Sequence, residues 1–142
     1  LSLLNINMTA KKNIISQCKL TSIAITDALD LMSGKWTPTI IMALLVRKVL
    51  CFTELRNELE GISSKVLTSN LRHLEVENII DRRTYDSPTC RTEYQLTEYG
   101  KSIEPLLHHL SKIGIKHRRM MTGRDITDLT NAEVDFFGIR ER

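Results

Sequence analysis

FTELRNELEGISSKVLTSNLRHLEVE, residues 52–77, is the stretch on which the fold turns. Phe52, Leu55 and Leu59 fall on one side of a short helix, with Thr53 as its expected N-cap and Glu54 complementing the dipole of its first turn. Gly61 breaks the chain, and Ser63 is placed to cap a second helix reaching about Glu77. Two helices joined by a tight glycine-containing turn form a helix-turn-helix pattern. At 100° per residue, Leu67, Leu71 and Leu74 of the second helix lie within about 60° of one another and read as core. Lys65, Thr68, Ser69 and Arg72 gather on the opposite side within about 100°, next to Ser63 and Ser64 at the helix start. No acid interrupts that face before Glu75. Lys and Arg suit guanine edges or phosphates, and Ser and Thr suit either, so the face has the chemistry of DNA contact; the other reading is a solvated helix surface.

Upstream, Ile25, Ala28, Leu29 and Met32 recur at helical spacing until Gly34 stops the run. Thr37 can cap the next helix, with Pro38 at its first position and Ile40, Ile41, Leu44 and Leu45 as its buried face. Downstream, the segment from Ile79 to Tyr85 is rich in β-branched residues, and Thr92 to Leu96 alternates. Asp86-Ser87-Pro88-Thr89 between them is turn chemistry, which predicts a β-hairpin. Arg82 and Arg83 lie in its first strand and Arg91 near the start of its second. A basic hairpin directly after a recognition helix is the winged-helix arrangement, in which the wing grips phosphates or the minor groove. A long final helix is expected from near Thr97 to about Met121, kinked or loosened by a turn at Pro105, with Ile103, Leu106, Leu107, Leu110 and Ile113 as a continuous apolar stripe. The expected fold is mainly α with a small β-hairpin: a winged helix-turn-helix with a long C-terminal dimerisation helix.

Composition bounds the alternatives. The 142 residues suit one domain, and 42% apolar with 26% charged residues excludes general disorder. No apolar run approaches the roughly 18 residues of a spanning helix, so no membrane association is expected. The chain opens on Leu1, and the Leu1-to-Met8 stretch lacks the basic flank and cleavage site of a signal peptide. Residues 122–142 carry three Arg against five acids, so the rest of the chain holds 17 basic against 12 acidic groups, a balance that suits a polyanionic partner. The organisation expected is an N-terminal extension over 1–17, a DNA-binding and dimerisation domain over 18–121, and an acidic tail over 122–142. Cys18, Cys51 and Cys90 form no CxxC and cannot all pair, which favours a reducing cytoplasm.

Four motifs carry a family resemblance: Gly34-Lys35-Trp36; Phe52-Thr53-Glu54-Leu55-Arg56; Gly61-Ile62-Ser63-Ser64-Lys65-Val66-Leu67-Thr68 with Leu71-Arg72-His73-Leu74-Glu75; and Glu93-Tyr94-Gln95-Leu96-Thr97-Glu98-Tyr99-Gly100. In order and spacing the chain resembles the HxlR-type transcriptional regulators of bacteria, a winged helix-turn-helix branch related to the MarR group, from about Ala24 to Ile115. The resemblance implies a dimeric cytoplasmic regulator that binds double-stranded DNA, with Lys65, Thr68 and Arg72 at DNA-facing positions and Arg91 at the basic wing position. It also assigns the Ile103–Ile113 stripe to a subunit interface and gives Trp36 a partly buried, anchoring place. Two departures stand out. Family members commonly carry a Cys-Pro pair about ten residues before Gly-Lys-Trp, where this chain has Ala24; Cys18 lies further upstream. At the wing, Thr89-Cys90 replaces a frequent Pro pair, with Pro88 one place earlier.

Two cysteines are therefore candidate redox residues: Cys18, between Lys12 and Lys19, and Cys90, expected exposed at the hairpin turn. Cys51, next to the apolar third helix, is expected to be an inert buried thiol. No phosphate loop, nucleophile elbow or catalytic carboxylate pair appears, so no enzyme activity is expected. His73, His108, His109 and His117 have no Cys or acid at ligand spacing, and neither a metal nor a cofactor is expected. The rival to a homodimeric regulator, under redox or small-molecule control, is a winged-helix protein-interaction module without specific DNA binding.

Overall fold

Helical spacing and glycine stops set the element order in the computed structural model, which describes the backbone of residues 2–125 and the side chains of residues 8–125. The elements are α1 (Ser2–Leu31), α2 (Thr37–Arg47), β1 (Val49–Cys51), α3 (Phe52–Glu58), α4 (Ser64–Val76), β2 (Ile80–Thr84), β3 (Thr92–Leu96), α5 (Glu98–Lys101) and α6 (Glu104–Thr122). Two compact units meet in sequence between Pro38 and Thr39.

In the first unit, α1 runs unbroken through residues 17 and 18, where an extension was expected to join the domain. Of the apolar set at its end, Met32 is buried and Ala28 half-buried, whereas Ile25 and Leu29 are more than half exposed. Gly34, at φ 100°, adopts the left-handed turn that ends this segment. Lys35 Nζ lies 4.9 Å from the centroid of the Trp36 ring, a cation–π contact, and Trp36 is half-buried as expected. Thr37 is buried, and its hydroxyl donates to the Ser33 carbonyl at 3.0 Å.

The second unit holds the hydrophobic core. Ile40, Ile41, Leu44 and Leu45 of α2 are buried, as their spacing predicts. Leu55, Leu59, Ile62, Leu67, Leu71 and Leu74 bring the inner faces of α3, its following turn and α4 into the core. Each such burial contributes about 1.5–3 kcal/mol. The hairpin is present, and β1, which the sequence reading did not foresee, completes a three-stranded antiparallel sheet ordered β1-β3-β2. Leu50 and Arg82 both pair with Tyr94, and Ile80 pairs with Leu96. Strand alternation thus puts Leu50, Ile80, Tyr94 and Leu96 on one buried face and Cys51, Arg83 and Glu93 on the other.

The C-terminal helix is long, but Pro105 does not kink it from within. The chain breaks at Ser102–Ile103, and Pro105 sits in the first turn of a new helix, α6, where its missing N–H costs no hydrogen bond. Thr97 caps α5 by accepting from the Gly100 amide at 2.9 Å, and its hydroxyl donates to the Asn78 carbonyl at 2.7 Å. Gly100 is required there, because a Cβ would collide with the Ile79 carbonyl.

Candidate nucleic-acid interface

The candidate interface is built on α3, the turn and α4. The N-cap of α3 is Cys51 rather than Thr53, and its amide donates to Glu54 Oε2 at 2.8 Å. Gly61, at φ 86°, supplies the turn, and Ser63 caps α4 by accepting from the Val66 amide at 3.2 Å. Arg56 Nη1 donates to Ser64 Oγ at 3.2 Å, tying the two helices across the turn.

On α4, Lys65, Thr68, Ser69 and Arg72 are all exposed and, with Ser64, His73 and Val76, line one open depression. The hydroxyl groups are not equivalent. Thr68 donates to the Ser64 carbonyl at 2.7 Å, so it offers a ligand an acceptor. Ser63 is occupied by capping, and Ser64 by Arg56. Lys65 and Arg72 form no ion pair among the described residues.

The wing arginines are likewise exposed but differ in surroundings. Arg82 shares its sheet face with Tyr94; burial pushes the phenol above its usual pKa, while the charge of Arg82 and a hydrogen bond from its side chain pull it down. Arg83 stands opposite Glu93 on the other face. Arg91 closes the wing loop through its backbone, its carbonyl accepting from the Tyr85 amide at 2.8 Å, and its side chain is left to solvent.

The reading of Cys51 as an inert buried thiol is overturned, and so is the exposure expected of Cys90. Cys51 and Cys90 are joined in a disulfide, with Cα atoms 5.8 Å apart and 39 residues between them in sequence. Cys51 is therefore not an inert buried thiol and Cys90 not a free thiol; both are half-buried. Pairing of β1 with β3 sets Cys51 opposite Glu93, three residues from Cys90, and sequence spacing carries no trace of that register. Among the described residues, the Sγ atoms of Cys51 and Cys90 and a carboxylate oxygen of Glu93 lie within 4.8 Å of one another, a set that could hold a metal only once the disulfide is reduced to thiolates. Cys18 is a free, exposed thiol on α1. A helix turns Lys12 and Lys19 about 120° and 100° away from it, so the basic setting read from adjacency is not gathered on its face.

The stripe expected to be a subunit interface is also divided. Ile103 and Leu107 are each 6% exposed within the single chain, whereas Leu106 and Leu110 are 39% and Ile113 is 64% exposed. Of the acidic tail, residues 126–142 lie outside the described residues. Among the described residues no helix is long and apolar enough to cross a membrane.

The sequence pattern of the HxlR-like helix-turn-helix family matches residues 31–121. The chain is 33% identical over 102 residues to YtcD of Bacillus subtilis (strain 168), an uncharacterized HTH-type transcriptional regulator, covering 72% of this chain and 80% of YtcD. YybR of the same organism, described in the same terms, is 31% identical over 114 residues, 80% of this chain and 89% of YybR. Among solved structures, the redox regulator HypR in its reduced form superimposes with a TM-score of 0.62 at 29% identity, covering 71% of this chain and 99% of HypR.

Proposed function

The chain belongs to the HxlR-like helix-turn-helix family of transcriptional regulators, and from that membership we propose that it acts as a homodimer on a pseudo-palindromic DNA operator in the cytoplasm, without enzymatic activity of its own. The observation that carries the reading is the outer face of α4. Lys65, Ser69 and Arg72 are exposed side by side, Thr68 presents an acceptor, and the opposite face is locked into the core by Leu67, Leu71 and Leu74. Such a helix enters a major groove as a rigid reader. Arg91, with Arg82 and Arg83 behind it, supplies the phosphate or minor-groove contact of the wing. Ser63 and Ser64 bring the α4 N-terminus to the backbone, where exposed amides favour phosphate.

A second copy covers what the single chain leaves bare. Leu106, Leu110 and Ile113 on α6 are exposed, and so are Ile14, Ile15, Leu20 and Ile23 on α1. Each of these two apolar surfaces, taken by itself, marks an association face on a regulator. Control by a small effector or by thiol chemistry acts, on this reading, by changing how the readers are presented.

Selection of bound duplexes from a random library tests the proposal. A recovered consensus with two related half-sites supports it. Binding that shows no sequence preference, together with capture of a protein partner by the α4 face, would favour an interaction module.

A further inference from the structure

We propose that Cys51 and Cys90 form a reversible oxidation site that clamps the wing to the helix-turn-helix, so that the oxidised chain presents a fixed wing and the reduced chain a loose one. Cys51 ends β1 and caps α3, held by the Glu54 carboxylate and by pairing with Glu93. Cys90 lies at the other end of the wing loop, immediately before Arg91 and β3. Their bond closes a covalent ring that contains α3, the turn, α4, β2 and the wing loop. Without the bond, residues 85–91 keep the Tyr85–Arg91 backbone hydrogen bond and the Ser87–Thr89 contacts, which are ties within the loop itself, and a 3.8 Å contact of Cys90 Sγ with the Thr92 carbonyl where β3 begins, but no tie to the helix-turn-helix among these contacts. The Cα separation of 5.8 Å lies within the span of disulfides, so the dithiol stands ready to close on little backbone movement.

The chemistry balances with a peroxide as oxidant. One thiolate attacks the peroxide oxygen, the O–O bond breaks, and a sulfenic acid forms with release of hydroxide. The second thiolate attacks that sulfur, the S–S bond forms and a second hydroxide leaves. In sum two thiols lose two electrons and two protons, and one hydrogen peroxide becomes two waters. A dithiol reductant returns both electrons and reopens the clamp. The switch lies within one chain and does not use Cys18.

The DNA consequence rests on the function proposed above. A wing fixed in advance loses less freedom when Arg91 meets the backbone, so reduction should weaken binding about tenfold. The experiment uses full-length protein, treated with hydrogen peroxide or with dithiothreitol, in wild type, Cys18→Ser, Cys51→Ser and Cys90→Ser. Peptide mapping should find Cys51 linked to Cys90 within one chain after peroxide, in wild type and Cys18→Ser alike. Amide exchange of residues 85–91 should be slower in the oxidised form and insensitive to redox state in Cys51→Ser and Cys90→Ser. Thiols at 51 and 90 that stay open to alkylation after peroxide would overturn the proposal, as would equal exchange in both states. If the reduced protein takes up one Zn2+ per chain, and that binding rather than oxidation orders the loop, metal chelation by Cys51, Cys90 and Glu93 replaces it. Affinity is read on the duplex selected from the random library. Failure to recover any duplex in either state counts against DNA binding and leaves the clamp decided by mapping and exchange.

Discussion

Lys65 and Arg72 stand two helical turns apart on one face of α4, about 10.5 Å along its axis, close to the spacing of three base pairs. Replacing either by Ala should weaken binding to the selected duplex by about 1–3 kcal/mol and relax preference at the base it meets. Arg91→Ala belongs to a different class: it should weaken all sequences alike and lower the salt slope by about one unit. Titrations of the two variants at several salt concentrations separate these roles, and a changed consensus with Arg91→Ala but not with Arg72→Ala would reverse them. A purely structural residue gives a third case. Gly100→Ala drives a methyl into the Ile79 carbonyl, so denaturant unfolding should show a loss of about 1–3 kcal/mol. At this scale the sequence is informative where the cause is local. The Ser63 cap, the Gly61 turn and the two faces of α4 follow from residues within one or two turns of each other. The disulfide was not legible, because it depends on a strand register between residues 39 apart.

Elements show the same division. α2, α4 and the hairpin announce themselves through period and turn chemistry, whereas β1 is three residues long, too short for a periodic signal, and exists because β3 offers it an edge. Pro105 could be placed in a helix but not at its beginning, since the break at Ser102–Ile103 contains no stop residue such as glycine. The stripe on α6 was legible as apolar, but not its partition between core and partner, which depends on how far round the helix the chain's own core extends. That partition makes two substitutions of one kind diverge. Leu110→Asp alters an exposed face and should yield folded monomers that bind DNA poorly. Leu107→Asp places an unpaired carboxylate at a site 6% exposed and should unfold the chain or cost several kcal/mol. Circular dichroism together with light scattering separates a folded monomer from an unfolded chain. Monomers from both variants with equal stability would show that Leu107 is not part of the core.

At the scale of the whole molecule, the function proposed above carries a geometry on DNA that can be tested. Outside residues 122–142 the chain carries 17 basic against 12 acidic groups, and Lys65, Arg72 and Arg91 are among those left exposed. One chain offers one α4, which spans few base pairs and gives little discrimination against the competing sites of a genome. Two chains joined through the exposed α6 face offer two, related by a two-fold axis, and an isologous interface makes the operator a pseudo-palindrome. Successive major grooves on one side of the duplex then set the half-site separation at about 10–10.5 base pairs. Light scattering should give a dimer at micromolar concentration, and hydroxyl-radical footprinting should show two protected segments at that separation. Inserting about five base pairs between the half-sites turns the second one to the far side of the duplex, half a helical repeat away. Affinity should then fall to that of a single half-site in the wild type, with no change for Leu110→Asp, which already binds through one. Binding indifferent to the insertion, or a monomer in solution, would show that the two reading helices do not act as one rigid pair.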